Sequence, residues 1–117
     1  MFEIRPCPLA RLHHEQSIRS YAHVFHRRNT ICVTPHFYDL PQGFQVGILL
    51  HELGHIALAN IRHSEKQADN IASVLSGVTV RRRVYSFPGT GEKARNLEYV
   101  RKADIGAALR FIREFTR

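Results

Sequence analysis

Residues 43–60, GFQVGILLHELGHIALAN, form the most apolar segment of the chain. Apolar side chains recur in it at helical spacing, so the segment predicts a largely buried helix. His51 and His55 are four residues apart and therefore share one face of that helix. The opposite side carries the residues expected to face a core: Val46, Leu49, Leu50, Leu53, Ile56 and Ala57. The helix would thus anchor one face in a core and point two imidazoles into a cleft.

The five residues 51–55 read His-Glu-Leu-Gly-His, which matches the HExxH pattern. Residues four apart in a helix are about 6 Å apart along its axis, so two imidazoles there can converge on one metal ion. Glu52 is one step round the helix from His51, and it can reach a water bound to that ion and act as a general base. The alternative is a helix with two surface histidines, but a charged cluster in so apolar a segment has to be paired or coordinated.

A second helix is predicted directly downstream. Residues 60–62 can end the first helix. Ser64 can cap the next one, and Gln67 three residues later completes a capping-box pattern. The two helices would then form a short antiparallel hairpin.

A catalytic zinc ion needs a third protein ligand and an open position for water. The downstream candidates are His63, Glu65 and Asp69. In such a hairpin Glu65 would lie at a similar depth to His55, so its carboxylate could reach the ion. Glu65 would otherwise be a first-turn carboxylate that favours the helix dipole. His63 stays open as an alternative ligand, and Asp69 can accept a hydrogen bond from the non-coordinating nitrogen of a ligand histidine.

Other elements follow from the periodicity of the chain, and they indicate an α+β fold. Asp104 is a candidate cap for the last helix. In chain order, the pattern predicts a helix over 8–28, a buried strand over 30–34, a helix over 64–76 ended by Gly77, a half-exposed strand over 78–85, a turn over 88–91 and a last helix whose inner stripe spans 105–115.

Composition limits the class of protein. The chain has 117 residues, of which 44% are hydrophobic and 23% charged, which predicts one compact domain over residues 1–117. No stretch reaches the roughly 20 apolar residues that a membrane-spanning helix needs. The first 16 residues lack a secretory signal, and two cysteines do not make a disulfide scaffold. We therefore expect a cytoplasmic protein without a membrane segment.

The positive charge lies mostly in the last third. The chain has a net charge of +7, and residues 78–117 hold ten basic and four acidic side chains, including Arg81, Arg82 and Arg83. Such a patch favours an acidic or DNA-associated partner, although a solvated basic face is the simpler interpretation. No recognised nucleic-acid-binding motif accompanies it.

HELGH followed by Glu65-Lys66-Gln67-Ala68-Asp69 resembles the HExxH…ExxAD pattern of gluzincin metallopeptidases. The pattern is similar to that of HtpX-type membrane peptidases and ImmA/IrrE-type proteins. At this chain length it looks most like the soluble minigluzincins, and the resemblance covers residues 44–76. It implies Zn²⁺ held by His51, His55 and Glu65, with Glu52 as base and acid and Asp69 orienting a ligand.

The resemblance also implies a fold and an activity. The zinc-binding helix and the second, ligand-bearing helix would pack against a small β-sheet whose edge strand pairs with an extended protein or peptide substrate. Small forms of this kind can be latent, like zymogens, when their terminal segments cover the cleft. Metzincins fit less well, because Leu58 and Ile61 stand where that class needs Gly and His.

Two points about function stay open at the level of sequence. A zinc metalloprotease is the leading hypothesis, and a catalytically silent zinc-binding regulatory or interaction module is the alternative. A peptidase also needs a group that stabilises the oxyanion. Four residues are candidates for that role: His36, Tyr38, Tyr85 and Tyr99.

Overall fold

The helix that carries HExxH is the centre of the fold. The computed structural model describes residues 3–6, 21–25, 30–86 and 94–116, and in it this helix, α1, spans Gln42–Ala57. Leu50 and Leu53 are 0% and 1% exposed and lie in the main hydrophobic core. The buried stripe is shorter than predicted, because Ile56 is only partly buried and Ala57 is exposed.

A three-stranded sheet packs near α1. Its strands are β1, Glu3–Pro6, β2, Ala22–Phe25, and β3, Thr30–Val33, in the order β1-β3-β2. The central strand β3 pairs parallel with β1 and antiparallel with β2. All four residues of β3 are buried, which confirms the buried strand predicted for this β-branched segment.

The helix predicted over residues 8–28 is wrong where the structure describes that segment. Residues 22–25 form β2 instead, while residues 8–20 and 26–29 lie outside the described residues. Tyr21, Val24 and Phe25 fit a helical spacing, but a segment as short as residues 21–25 is equally compatible with the alternating side chains of a strand. Pairing with β3 decides between the two, since it satisfies the backbone of both strands.

The second helix begins and ends as predicted. Helix α2 spans Glu65–Ser76, and both halves of its capping box form. The amide of Gln67 donates to Oγ of Ser64 at 3.2 Å, and the amide of Ser64 donates to Oε1 of Gln67 at 2.7 Å. Gly77 ends the helix with a φ of 71°, which a glycine adopts without strain. Helix α1 ends at Ala57, a little before the predicted 60–62.

A β-hairpin lies across α1. Strand β4, Arg81–Tyr85, pairs antiparallel with β5, Arg95–Tyr99. The predicted strand over 78–85 begins only at Arg81, because Val78 turns into the core and is 4% exposed. The expected half-exposure is also wrong, since the first four residues of β4 are all exposed. Strand β5 was not predicted, and the turn expected over 88–91 lies outside the described residues.

Close contact between this hairpin and α1 depends on glycine. A Cβ placed on Gly47 would lie 2.6 Å from the backbone nitrogen of Tyr99. The amide of Val100 donates to the carbonyl of Gly43 at 3.0 Å, so the strand end is also bonded to the first turn of the helix. The hairpin therefore has a fixed position beside α1.

The last helix, α3, spans Ile105–Phe115 and closes the core with Ala108 and Ile112. Asp104 does not cap it as predicted: its carboxylate accepts from Nε of Arg101 at 2.9 Å, and a 3-10 turn over Lys102–Asp104 leads into the helix. The arrangement is α+β, as expected. Among the described helices, none combines the length and apolar character needed to cross a bilayer.

Candidate metal centre

The crossing of α1 and α2 positions the motif residues. At Gly54 an added Cβ would fall against the carbonyl oxygen of Ala68 and 2.9 Å from its carbonyl carbon. Ala68 is fully buried. Because neither residue has a bulky side chain, the helix backbones approach closely, and the first turns of α2 lie beside residues 51–55 of α1.

Three predicted ligand atoms converge beside this crossing. Nε2 of His51 lies 2.9 Å from Nε2 of His55 and 2.6 Å from Oε2 of Glu65. Nε2 of His55 lies 3.3 Å from the same carboxylate oxygen. Tetrahedral ligands with zinc bonds of the usual length are about 3.4 Å apart, so small side-chain movements suffice to surround one ion. His51 is buried, whereas the Glu65 side chain is 69% exposed, so the group opens to solvent on the α2 side.

Asp69 fixes the orientation of the first imidazole. Its Oδ1 lies 2.6 Å from Nδ1 of His51. A carboxylate only accepts hydrogen bonds, so Nδ1 donates. In the neutral ring, Nε2 then carries a lone pair and faces His55 and Glu65. This is the contact expected of Asp69 from the sequence.

His63 fixes the second imidazole. Nδ1 of His63 donates to the carbonyl of Ile61 at 2.6 Å, so in the neutral ring Nε2 of His63 is an acceptor. It accepts from Nδ1 of His55 at 2.7 Å. Nε2 of His55 is then left unprotonated, facing His51 and Glu65. His63 therefore lies behind His55 and outside the three converging atoms, where it orients the imidazole of His55.

The three converging atoms fit a cation. When both rings are neutral, all three are hydrogen-bond acceptors, and none can donate to another. Acceptors held this close require a positive charge among them. Two imidazoles and a carboxylate are also a donor set that catalytic zinc sites use. His51, His55 and Glu65 can therefore hold a metal ion.

Charges around His51 favour a cation as well. Burial lowers the pKa of His51, but the hydrogen bond with Asp69 and the nearby charges of Glu98 and Glu52 outweigh burial and raise that pKa to about 9. Burial also raises the pKa of Glu65, yet the charge of His51 and the close contacts with the two imidazoles lower it overall. In the metal-free protein, a proton on His51 thus supplies the positive charge.

Glu52 lies beside the ligand group without belonging to it. In the described part of the chain, the residue groups that can hold a metal do not include Glu52. Burial raises its pKa to about 8; the charge of His51 opposes this shift, and those of Glu98 and Glu65 add to it. A carboxyl group with a pKa near neutrality can accept and release a proton at physiological pH, which a general acid-base group must do.

Two residues that the sequence did not single out complete the surroundings of His51. Arg82 on β4 and Glu98 on β5 are cross-strand partners. Nε of Arg82 lies 3.0 Å from Oδ2 of Asp69, and its Nη2 lies 3.1 Å from Oε1 of Glu98. That oxygen of Glu98 is also 3.6 Å from Nδ1 of His51. The hairpin is thereby connected to the candidate metal centre.

A second group of close ligand atoms consists of His51, Asp69 and Glu98. Here Arg82 contacts both carboxylates, and Nδ1 of His51 carries a proton. A metal ion would be repelled by the guanidinium and would have to displace that proton. The group that contains His55 and Glu65 is therefore the better candidate.

The structure does not assign the oxyanion-stabilising group. The rings of Tyr85 and Tyr99 lie 5.2 and 4.9 Å from that of Phe44, two turns before His51 on α1. Tyr38 is 55% exposed, and His36 is exposed beside it. These placements do not select one candidate, so the role stays a prediction.

Comparison of the sequence with protein-family models gives no match, and searches of curated proteins and of solved structures give no significant match either. The likeness to gluzincins therefore depends on the motif residues alone. Function has to be argued from the geometry of the site.

Proposed function

We propose that this protein is a zinc-dependent metallopeptidase of the gluzincin type that hydrolyses peptide bonds in a protein or peptide substrate. The observation that carries the proposal is the convergence of three acceptor atoms, from His51, His55 and Glu65, within 3.3 Å of one another. These residues would hold the zinc ion. Zinc bound there would supply a water of lowered pKa and polarisation of the peptide carbonyl.

Other residues of the chain would transfer the proton and orient the two histidines. Glu52 accepts a proton from the attacking water and gives it to the leaving amine. Its raised pKa supports this role, and a positive charge held by the neighbouring ligands shifts that pKa back towards neutrality. Asp69 and His63 keep His51 and His55 oriented so that each presents Nε2.

The decisive experiment separates metal binding from cleavage. We expect Glu52→Gln to keep the zinc content of the wild type, because Glu52 is not a ligand, and to lose cleavage of a denatured test protein. Equal cleavage by wild type and Glu52→Gln would refute the peptidase proposal. A wild-type protein that binds zinc and cleaves nothing would instead support the silent regulatory or interaction module.

Zinc content also tests the third ligand. Glu65→Ala removes one of three donors, so we expect the purified variant to lose zinc. His63→Ala removes an orienting contact only, so it should retain zinc with about tenfold weaker affinity. Loss of zinc in His63→Ala with retention in Glu65→Ala would reverse the assignment.

Cytoplasmic location and an acidic or DNA-associated partner are part of the proposal. Arg81 and Arg83 are exposed on β4, and Arg83 also lies 5.1 Å from the centre of the Tyr99 ring. Binding of duplex DNA through such side chains would weaken steeply between low and moderate salt. Binding that does not change with salt would argue against a phosphate-contacting surface.

A further inference from the structure

Arg82 has a contact pattern that the proposed function does not use. Its side chain is 36% exposed, while those of its two partners, Asp69 and Glu98, are 11% and 12% exposed. A buried carboxylate is tolerated when it is paired and hydrogen-bonded. The planar guanidinium meets both partners at once, through Nε and Nη2, in a fixed fork geometry that a flexible ammonium group does not provide.

This pairing decides which carboxylate orients His51. Nδ1 of His51 lies 2.6 Å from Asp69 and 3.6 Å from Glu98, so both carboxylates are near the same proton. Without a cation between them, the two like charges would repel each other. Arg82 draws Glu98 towards itself and bonds the outer oxygen of Asp69, which leaves the inner oxygen of Asp69 for His51.

We propose that Arg82 is a positioning residue of the metal centre, which holds Asp69 so that His51 presents Nε2 to the ion, with Glu98 as its cross-strand anchor. The inference rests on the proposed metal site of His51, His55 and Glu65. It adds that the β4–β5 hairpin, and not only the α1–α2 pair, determines metal affinity.

The test compares Arg82→Gln with Arg81→Gln. Both variants remove one positive charge from the same strand, but adjacent strand residues point to opposite faces, so only the first loses the contact with Asp69. Zinc affinity is measured by competition with a chelator of known affinity. We expect about tenfold weaker binding for Arg82→Gln and no weakening for Arg81→Gln.

The direction of the change is itself informative. Loss of a positive charge near a cation site strengthens cation binding by Coulomb attraction alone. Weaker binding in Arg82→Gln is opposite to this direct Coulomb effect and therefore supports lost positioning. Arg82→Lys should recover part of the affinity, because an ammonium group can still pair with one of the two carboxylates.

A double-mutant cycle tests whether Arg82 acts through Asp69. In an Asp69→Asn background, we expect Arg82→Gln to change zinc affinity by less than about twofold, since the residue through which it acts is already altered. An additive, tenfold further loss would mean that Arg82 acts by another route, and it would overturn the proposal.

A metal-free measurement keeps the inference separate from the proposed function. In the metal-free protein, the Nδ1 proton of His51 should give a downfield, slowly exchanging NMR signal, because it is buried and bonded to Asp69. We expect Arg81→Gln to keep that signal and Arg82→Gln to broaden or lose it. If the wild type binds no zinc, the peptidase proposal is refuted, but the NMR signal of the His51 Nδ1 proton still tests the positioning role of Arg82. An unchanged signal in Arg82→Gln would overturn the positioning role.

Discussion

Gly54→Ala tests whether the helix crossing sets the metal centre. Gly54 is the fourth residue of the HExxH motif and is the point where α1 meets Ala68 of α2. The new Cβ would meet a backbone carbonyl, which cannot rotate away as the end of a flexible side chain can. The carbonyl carbon is 2.9 Å from the Cβ position and the carbonyl oxygen is closer still, so α2 has to retreat by roughly 1 Å to reach ordinary contact distance.

Two opposing effects determine the magnitude. Alanine stabilises a helix interior by about 1 kcal/mol relative to glycine. Overpacking of a filled contact costs about 1–3 kcal/mol, so the net effect is a loss of up to about 2 kcal/mol in the free energy of unfolding. We expect a larger effect on metal affinity than on the free energy of unfolding, because Glu65 and Asp69 move with α2 and ligand distances tolerate shifts of only about 0.2 Å. We expect zinc binding at least about tenfold weaker.

Gly106→Ala is the matched control. Gly106 lies in the first turn of α3, and an added Cβ there meets nothing within 4 Å. This variant should melt at or slightly above the wild-type temperature and bind zinc equally well. Thermal unfolding of the metal-free proteins and chelator competition give the two readouts. If Gly54→Ala matches Gly106→Ala in both, the close helix contact does not control the site.

Three further predictions address other parts of the molecule. Asp69→Asn should stay folded and bind zinc about 10- to 100-fold more weakly in chelator competition, because a neutral amide orients His51 less firmly. Urea unfolding of the metal-free protein should show falling stability as pH rises. Folding raises the pKa of His51 from 6.5 to about 9, so the stability that His51 contributes is complete below pH 6.5 and is lost as the pH rises through 9. The pKa of Glu52 is raised from 4.5 to about 8, so Glu52 also makes stability fall as the pH rises. Truncation after residue 104 should abolish cooperative melting, because Ala108 and Ile112 belong to the core; a truncated protein that still melts cooperatively and cleaves faster would support latency instead.

Features that depend on neighbours in sequence were predicted well. The capping box needs only Ser64 and Gln67, and the helix end needs only Gly77, so a local pattern contains the whole signal. The approach of Glu65 to His51 and His55 was predicted in the same way, because a short turn between two antiparallel helices restricts which residues of the two helices lie side by side. The helical prediction for residues 21–25 failed because a spacing of three or four residues over so short a span does not exclude alternation.

Features that depend on strand pairing were missed. Arg82 and Glu98 are far apart in sequence and meet only because β4 and β5 are in register. Strand β5 reads Arg-Asn-Leu-Glu-Tyr, with little of the β-branched character that marks a strand. The available signal was that successive side chains of a strand point to opposite faces. Arg82 therefore lies on the face opposite to Arg81 and Arg83, which could have indicated that it points inward.

A basic chain thus encloses an acidic centre. The net charge is +7, yet Glu98, Glu52 and Asp69 all raise the pKa of His51, and Glu65 bonds its other nitrogen. Arg82 compensates two of these carboxylates from behind the imidazole. The negative charge of Glu65 lies on the opposite, Nε2 side of the imidazole, where Arg82 does not reach. There a proton on His51 or a divalent cation can balance it. The raised pKa of His51 and the capacity to bind a metal therefore have one electrostatic cause, and a proton and a metal ion compete for the same position.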